Sequence, residues 1–149
     1  MDLSELYQEL IIDHGTEPRN YHAIENASHT ADGYNPLCGD KIKLYLLLDG
    51  DIIREASFVG AGCAISTASA SIMTEILIGK TQAQTMEILN SFKCLVTGQE
   101  LTAQHLDDLG KLLALTGVRA FPSRIKCATL PWHTLDAALQ HKHELATTE

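Results

Sequence analysis

The chain has 149 residues, 45% of them apolar and 20% charged, with a formal net charge of −8. That length suits one domain, spanning 1–149, with a core that closes without staples. The acidic balance argues against nucleic acid or an anionic membrane as partner, since both demand a basic face; Arg119, Arg124 and Lys126 form the only local basic candidate.

In chain order, Leu3, Leu6, Tyr7, Leu10 and Ile11 repeat at helical spacing and predict an amphipathic helix from about Asp2 to Asp13. His14 to Asn35 is polar and rich in Gly, Pro and Asn, and reads as loop with a short strand before Tyr34. Ile42–Leu48 and Ile52–Val59 read as two strands around the Asp49-Gly50-Asp51 turn, a strong hairpin signal. Ala64 to Ile78 is a helix of small and apolar residues, closed by Gly79 at C′. Thr81 caps a helix through Val96 that Gly98 ends. Leu101 to Leu115 is helical with an interruption at Gly110, and Gly117 closes it. The last helix is expected from near Cys127 to about Leu145, with Leu135, Ala138 and Leu139 on its apolar face. Pro131 then falls in the first turn or at a kink. This order predicts an α+β fold, a small antiparallel sheet with helices packed on one face.

Met1-Asp2-Leu3-Ser4-Glu5 lacks the basic region and cleavage site of a signal peptide, and no apolar run approaches the roughly 20 residues of a membrane span. The expectation is a cytoplasmic chain. In a reducing compartment, cysteines set apart from one another point to metal ligands or reactive thiols rather than to disulfides. Cys94 sits in a helical apolar pattern and is expected to be core. The other three lie in small-residue contexts. Cys38 is in Asn35-Pro36-Leu37-Cys38-Gly39-Asp40, Cys63 in Gly60-Ala61-Gly62-Cys63-Ala64, and Cys127 in Arg124-Ile125-Lys126-Cys127-Ala128.

Cys63 ends a strand and opens a helix, where unpaired N–H groups favour thiolate over thiol. Cys127 is expected at a second helix start, with Arg124 and Lys126 lowering its pKa. Gly39 frees the turn so that the Cys38 sulfur and the Asp40 carboxylate can face the same way. No Cys-X-X-Cys knuckle exists, so any shared site must be assembled by the tertiary fold. Three thiolates and one carboxylate suit tetrahedral zinc, and the same donors suit an iron–sulfur cluster. The histidines are weaker candidates. His14, His22 and His29 are expected as solvated loop residues and His133 as a helix-surface residue, with His141 and His143 in a polar tail.

Taken in order, Cys38-Gly39-Asp40, Gly62-Cys63-Ala64-Ile65-Ser66 and Arg124-Ile125-Lys126-Cys127-Ala128-Thr129-Leu130 resemble the iron–sulfur cluster assembly proteins of the IscU/NifU N-terminal family. The resemblance runs from the first helix to the last. Within that family the chain is most similar to the SufU branch, through the added helical stretch from Leu101 to Gly117 and through Lys126, where the IscU branch carries histidine. The SufU resemblance implies zinc held by Cys38, Asp40, Cys63 and Cys127, with no further cofactor-binding residues. It also implies a SufS-type cysteine desulfurase as partner, serving downstream iron–sulfur assembly machinery. Cys38 would leave the metal when a histidine of that partner replaces it and accept sulfur as a persulfide, a sulfurtransferase-like role in which Arg124 assists. Two other readings stay open: a scaffold that assembles an iron–sulfur cluster and passes it on, and a non-catalytic domain that zinc only braces.

Overall fold

Alternation with a period of two builds the sheet. In β2 (Asp40–Asp49) the residues Asp40, Ile42, Leu44 and Leu46 face inward while Lys41 and Lys43 face water. The computed structural model describes residues 2–141 and 146–147. It shows β1 (His29–Asn35), β2 and β3 (Ile52–Ala61) as an antiparallel sheet, with β4 (Ala146–Thr147) added parallel to β1, in the order β3-β2-β1-β4. The β2–β3 hairpin forms as expected. The polar stretch before Asn35 contributes a seven-residue strand rather than a short one, because Ala31, Gly33 and Asn35 supply an inward face. Strand β4 was not expected.

Helix α1 (Leu3–Thr16) is capped by Asp2, whose carboxylate accepts the Glu5 N–H at 2.9 Å. Helix α2 (Ala64–Leu77) and helix α5 (Pro122–Leu139) pack directly on the sheet, and α1 and α3 (Gln82–Val96) pack against them. Thr81 and Gln84 close α3 with a reciprocal capping box. The expected third helix divides at Gly110 into α4 (Ala103–Leu109) and a 3-10 segment, Gly110–Ala120, that runs past Gly117. The core gathers Leu44, Leu46, Ile53, Ile72, Phe92 and Trp132 between the sheet and the helices. Phe92 and Trp132 stack at 5.1 Å between ring centroids. Among the described residues no helix is long and apolar enough to cross a membrane.

Three sequence expectations need correction. Helix α5 begins at Pro122, the favoured first position for proline, so it starts well before Cys127 and ends at Leu139. Pro131 is therefore interior, where it cannot donate to the Cys127 carbonyl four residues back. Leu145 and His143 lie outside the described residues. Cys94 is only half-buried, facing the Gln99 amide at 3.5 Å, because the apolar stripe of α3 runs through Leu89, Phe92 and Val96 instead.

His14 is also not a loop residue. It is wholly buried on α1, its Nδ1 2.7 Å from the Ser71 hydroxyl, which also accepts the Arg19 N–H at 2.8 Å. Burial pulls the His14 pKa below its ordinary value and nearby Arg19 adds to this, against the opposing pull of Glu75, 3.6 Å from Nε2. Burial depresses His29 and His133 in the same direction. As pH falls through the ordinary histidine range, the unfolded chain therefore takes up protons before the folded one does. Stability is present above roughly pH 6.5 and is lost below it, by up to about 1.4 kcal/mol per pH unit for each histidine that stays neutral. Urea unfolding at pH 7.5 and pH 5 should show this loss, and His14→Gln should reduce it.

Candidate metal centre

The register of the sheet brings the three cysteine motifs to one end of the molecule. Asn35 pairs with Asp40 across β1 and β2, and Lys41 pairs with Ala61 across β2 and β3. The turn carrying Cys38 therefore lies beside the strand end that leads through Gly62 to Cys63. Alternation directs Asp40 inward, on the same face as Ile42, and leaves it 1% exposed. Gly39 closes the turn: its N–H donates to the Asn35 carbonyl at 2.8 Å, and its φ of 73° is open to glycine and strained for other residues.

Cys63 is the N-cap of α2, its sulfur accepting the Ser66 N–H at 3.5 Å, as the strand-to-helix reading expected. Its own N–H donates to Asp40 Oδ1 at 2.8 Å. Gly62 permits this approach, since a Cβ there would lie 2.8 Å from Asp40 Oδ1 and 2.6 Å from Ser66 Oγ. Cys127 approaches from the opposite side, out of α5. Cys38, Asp40 and Cys127 each offer a donor atom within 4.8 Å of the others. Cys38 Sγ stands 3.2 Å from Cys127 Sγ and 2.9 Å from Asp40 Oδ2, and Cys63 Sγ joins through Asp40 Oδ2 at 3.7 Å.

These separations bear on what the group can hold. A tetrahedral zinc with Zn–S near about 2.3 Å sets its sulfurs about 3.8 Å apart and sulfur from oxygen about 3.6 Å apart. The Cys63–Asp40 separation already matches that edge, and Cys38 need move outward by only a fraction of an ångström. Cys63 Sγ, however, lies outside the group of donor atoms within 4.8 Å of one another and must also close in on the other sulfurs. The electrostatics point the same way. Burial pushes the Cys127 thiol far up, and Cys38 and Cys63 add to this; burial and the Asp40 carboxylate push Cys38 up as well. Acidic donors crowded together disfavour one another's ionisation, and a bound cation inverts that balance.

The expectation of a lowered thiol pKa for Cys127 is overturned. The residue sits past the first turn of α5, beyond the unpaired N–H groups, and is 6% exposed rather than presented to solvent. Arg124 does not meet its sulfur; its guanidinium lies 4.6 Å from the centroid of the Phe121 ring. Arg124 does line the cleft over the site, together with Leu37, Ile65 and the three cysteines. Among the described residues the donor group contains no histidine. His14 is bound to Ser71, His22 Nδ1 is 3.1 Å from the Ala23 carbonyl, and His29 stacks on His141 at 4.1 Å.

One residue of the site was not singled out from the sequence. The wholly buried Asn35 donates from Nδ2 to Cys38 Sγ at 3.0 Å and to Cys127 Sγ at 3.6 Å. An Asn-Pro pair at a strand end marks an Asx turn, which was the available signal.

With this geometry in view, residues 6–128 match the family described as the NifU-like N-terminal domain. The zinc-dependent sulfurtransferase SufU of Bacillus subtilis is 44% identical over 135 residues, covering 91% of this chain and 90% of its own. The iron–sulfur cluster assembly scaffold protein IscU of Streptococcus pyogenes serotype M1 is 39% identical, with 93% and 85% covered. Among solved structures, the SUF-system protein FiSufU from Fervidobacterium islandicum AW-1 superposes with a TM-score of 0.84 at 38% identity. That match covers 93% of this chain and 99% of the other.

Gly62→Ala tests the packing at the junction. The new methyl must displace the Asp40 carboxylate from the Cys63 N–H, and metal-free protein should lose about 1–3 kcal/mol in urea unfolding. Unchanged stability would mean that the strand end shifts freely.

Proposed function

The chain belongs to the family of NifU-like N-terminal domains, and on that premise we propose that it serves iron–sulfur cluster assembly in the cytoplasm as a zinc-dependent sulfur acceptor. Cys38, Asp40, Cys63 and Cys127 would hold the zinc. A cysteine desulfurase would supply the sulfur, and downstream assembly machinery would receive it. The observation that carries this reading is the unequal setting of the donors. Cys127 is buried in a helix and Cys63 is fixed as a helix cap, whereas Cys38 is exposed on a turn at the mouth of the cleft.

Zinc, when bound, keeps the thiols deprotonated and guards them from oxidation. The remaining chemistry belongs to the chain. The Cys38 thiolate attacks the terminal sulfur of the desulfurase's cysteine persulfide. The S–S bond of that persulfide breaks, the desulfurase cysteine leaves as thiolate, and Cys38 becomes the persulfide. No oxidant is needed, because the transferred sulfur keeps its oxidation state. Leu37, 62% exposed, and the half-buried Ile65 give the cleft an apolar lining suited to a protein partner, and the exposed Phe121 ring lies against the Arg124 guanidinium. Arg124 places a cation in the cleft, where it favours the anionic sulfur species. Asp40 stays hydrogen-bonded to the Cys63 N–H and keeps the inner donors in register while Cys38 reacts.

Incubation with a SufS-type cysteine desulfurase and cysteine, followed by mass spectrometry of the protein, tests the assignment. Added sulfur should map to Cys38, and Cys38→Ser should reduce acceptance by about 100-fold or more, as expected for loss of a nucleophile. Persulfide on Cys63 or Cys127 with none on Cys38 would contradict it. A brown protein carrying iron and sulfide would favour the scaffold reading instead.

A further inference from the structure

Cys38 is the exposed member of the donor group, yet its sulfur is reached from below by a side chain with no solvent contact. Asn35 is wholly buried at the end of β1, and its amide oxygen, amide nitrogen and main-chain carbonyl each have a defined partner. Oδ1 accepts the Leu37 N–H at 3.2 Å, and the Asn35 main-chain carbonyl accepts the Gly39 N–H at 2.8 Å. Because the Leu37 contact requires an oxygen there, the amide nitrogen must face the sulfurs. Its two N–H groups are directed at Cys38 Sγ, 3.0 Å away, and Cys127 Sγ, 3.6 Å away. Among the described residues no other side-chain nitrogen donates to either sulfur.

We propose that Asn35 is a positioning residue: it holds the Cys38 and Cys127 sulfurs as a pair and sets how readily Cys38 comes free. The inference rests on the zinc-dependent reading above and adds to it a residue outside the ligand set. A thiolate keeps lone pairs beyond the one it gives to a metal. Donors to those lone pairs draw charge off the sulfur and fix its direction, and in a buried setting they act strongly. One rigid amide joining the mobile sulfur to the fixed one gives Cys38 a defined place to leave and to return to. The same side chain shapes the turn through the Leu37 N–H, so the turn and the donor group are positioned together.

Two substitutions separate the amide's donor role from its turn role. Asn35→Asp keeps an oxygen for the Leu37 N–H and the side-chain shape but loses both donors. Asn35→Ser also keeps a turn acceptor, adds no charge and is too short to reach the sulfurs. Metal-free wild type and variants would be compared by circular dichroism and melting, and zinc affinity by chelator competition. Alkylation of zinc-loaded protein by iodoacetamide would be mapped by mass spectrometry, and cobalt-substituted protein would be examined for its sulfur-to-metal absorption bands.

Both variants should fold without metal as the wild type does and bind zinc about 10–100-fold more weakly. Alkylation at Cys38 should be about tenfold faster with Cys63 unchanged, and the cobalt bands should move to longer wavelength. Affinities and alkylation rates within twofold of wild type, with unshifted bands, would overturn the inference. So would variants that no longer fold without metal, since Asn35 would then be a structural residue. If the wild type binds zinc tightly and the variants are indifferent, this inference fails alone; if the wild type binds no zinc, the reading beneath it fails as well.

Discussion

A carboxylate buried at the start of a strand is the constraint on which the site depends. Asp40 is directed inward by the alternation that buries Ile42, Leu44 and Leu46, so its position is set by the core and not by the loop before it. Burying such a group is costly unless it is hydrogen-bonded. Here Oδ1 accepts the Cys63 N–H, and Oδ2 faces the Cys38 and Cys63 sulfurs. That single bond to Cys63 fixes where β3 hands over to α2, and it requires glycine at position 62. The chemistry at the surface is therefore anchored in the packing of the sheet.

The opposite wall of the site is anchored by α5. Trp132 stacks on Phe92 and donates from Nε1 to the Ser69 hydroxyl at 3.2 Å, and that hydroxyl donates to the Ala128 carbonyl at 2.6 Å. Residue 128 adjoins Cys127, so a buried polar link between α2 and α5 fixes the spacing of Cys63 and Cys127. Cys38 has no such support beneath its backbone. It is held by a glycine turn and by side-chain contacts to Asp40 and Asn35. Cys63 and Cys127 are thus held by their helices and Cys38 by a turn and side-chain contacts, the difference in anchoring on which the proposed sulfur transfer rests.

Much of this was legible in the residues. The Asp-Gly hairpin, the Gly-Cys helix start at Cys63 and the Cys-Gly-Asp turn are local signals, and each forms as local chemistry dictates. What was not legible depends on contacts distant in sequence. His14 reads as a loop residue because Gly15 and Pro18 follow it, yet it is buried against Ser71 on α2. Cys127 reads as a helix start because Pro131 would ordinarily end or begin a helix; the better start signal was Pro122, and tertiary packing tolerates the interior proline. Asn35 stands out in the sequence only as the polar residue before Pro36, since an amide that reaches a sulfur far along the chain leaves no periodic trace. Strand β4 is two residues long and has no pattern of its own.

The proposed zinc chemistry requires one metal held by three sulfurs and one oxygen, from Cys38, Cys63, Cys127 and Asp40. X-ray absorption at the zinc edge of protein carrying one zinc per chain tests it most directly. The expected result is a four-coordinate shell of three sulfurs at about 2.3 Å and one oxygen at about 2.0–2.2 Å, with the oxygen's carboxylate signature lost in Asp40→Ala. A shell of four sulfurs, or one without sulfur, would contradict it.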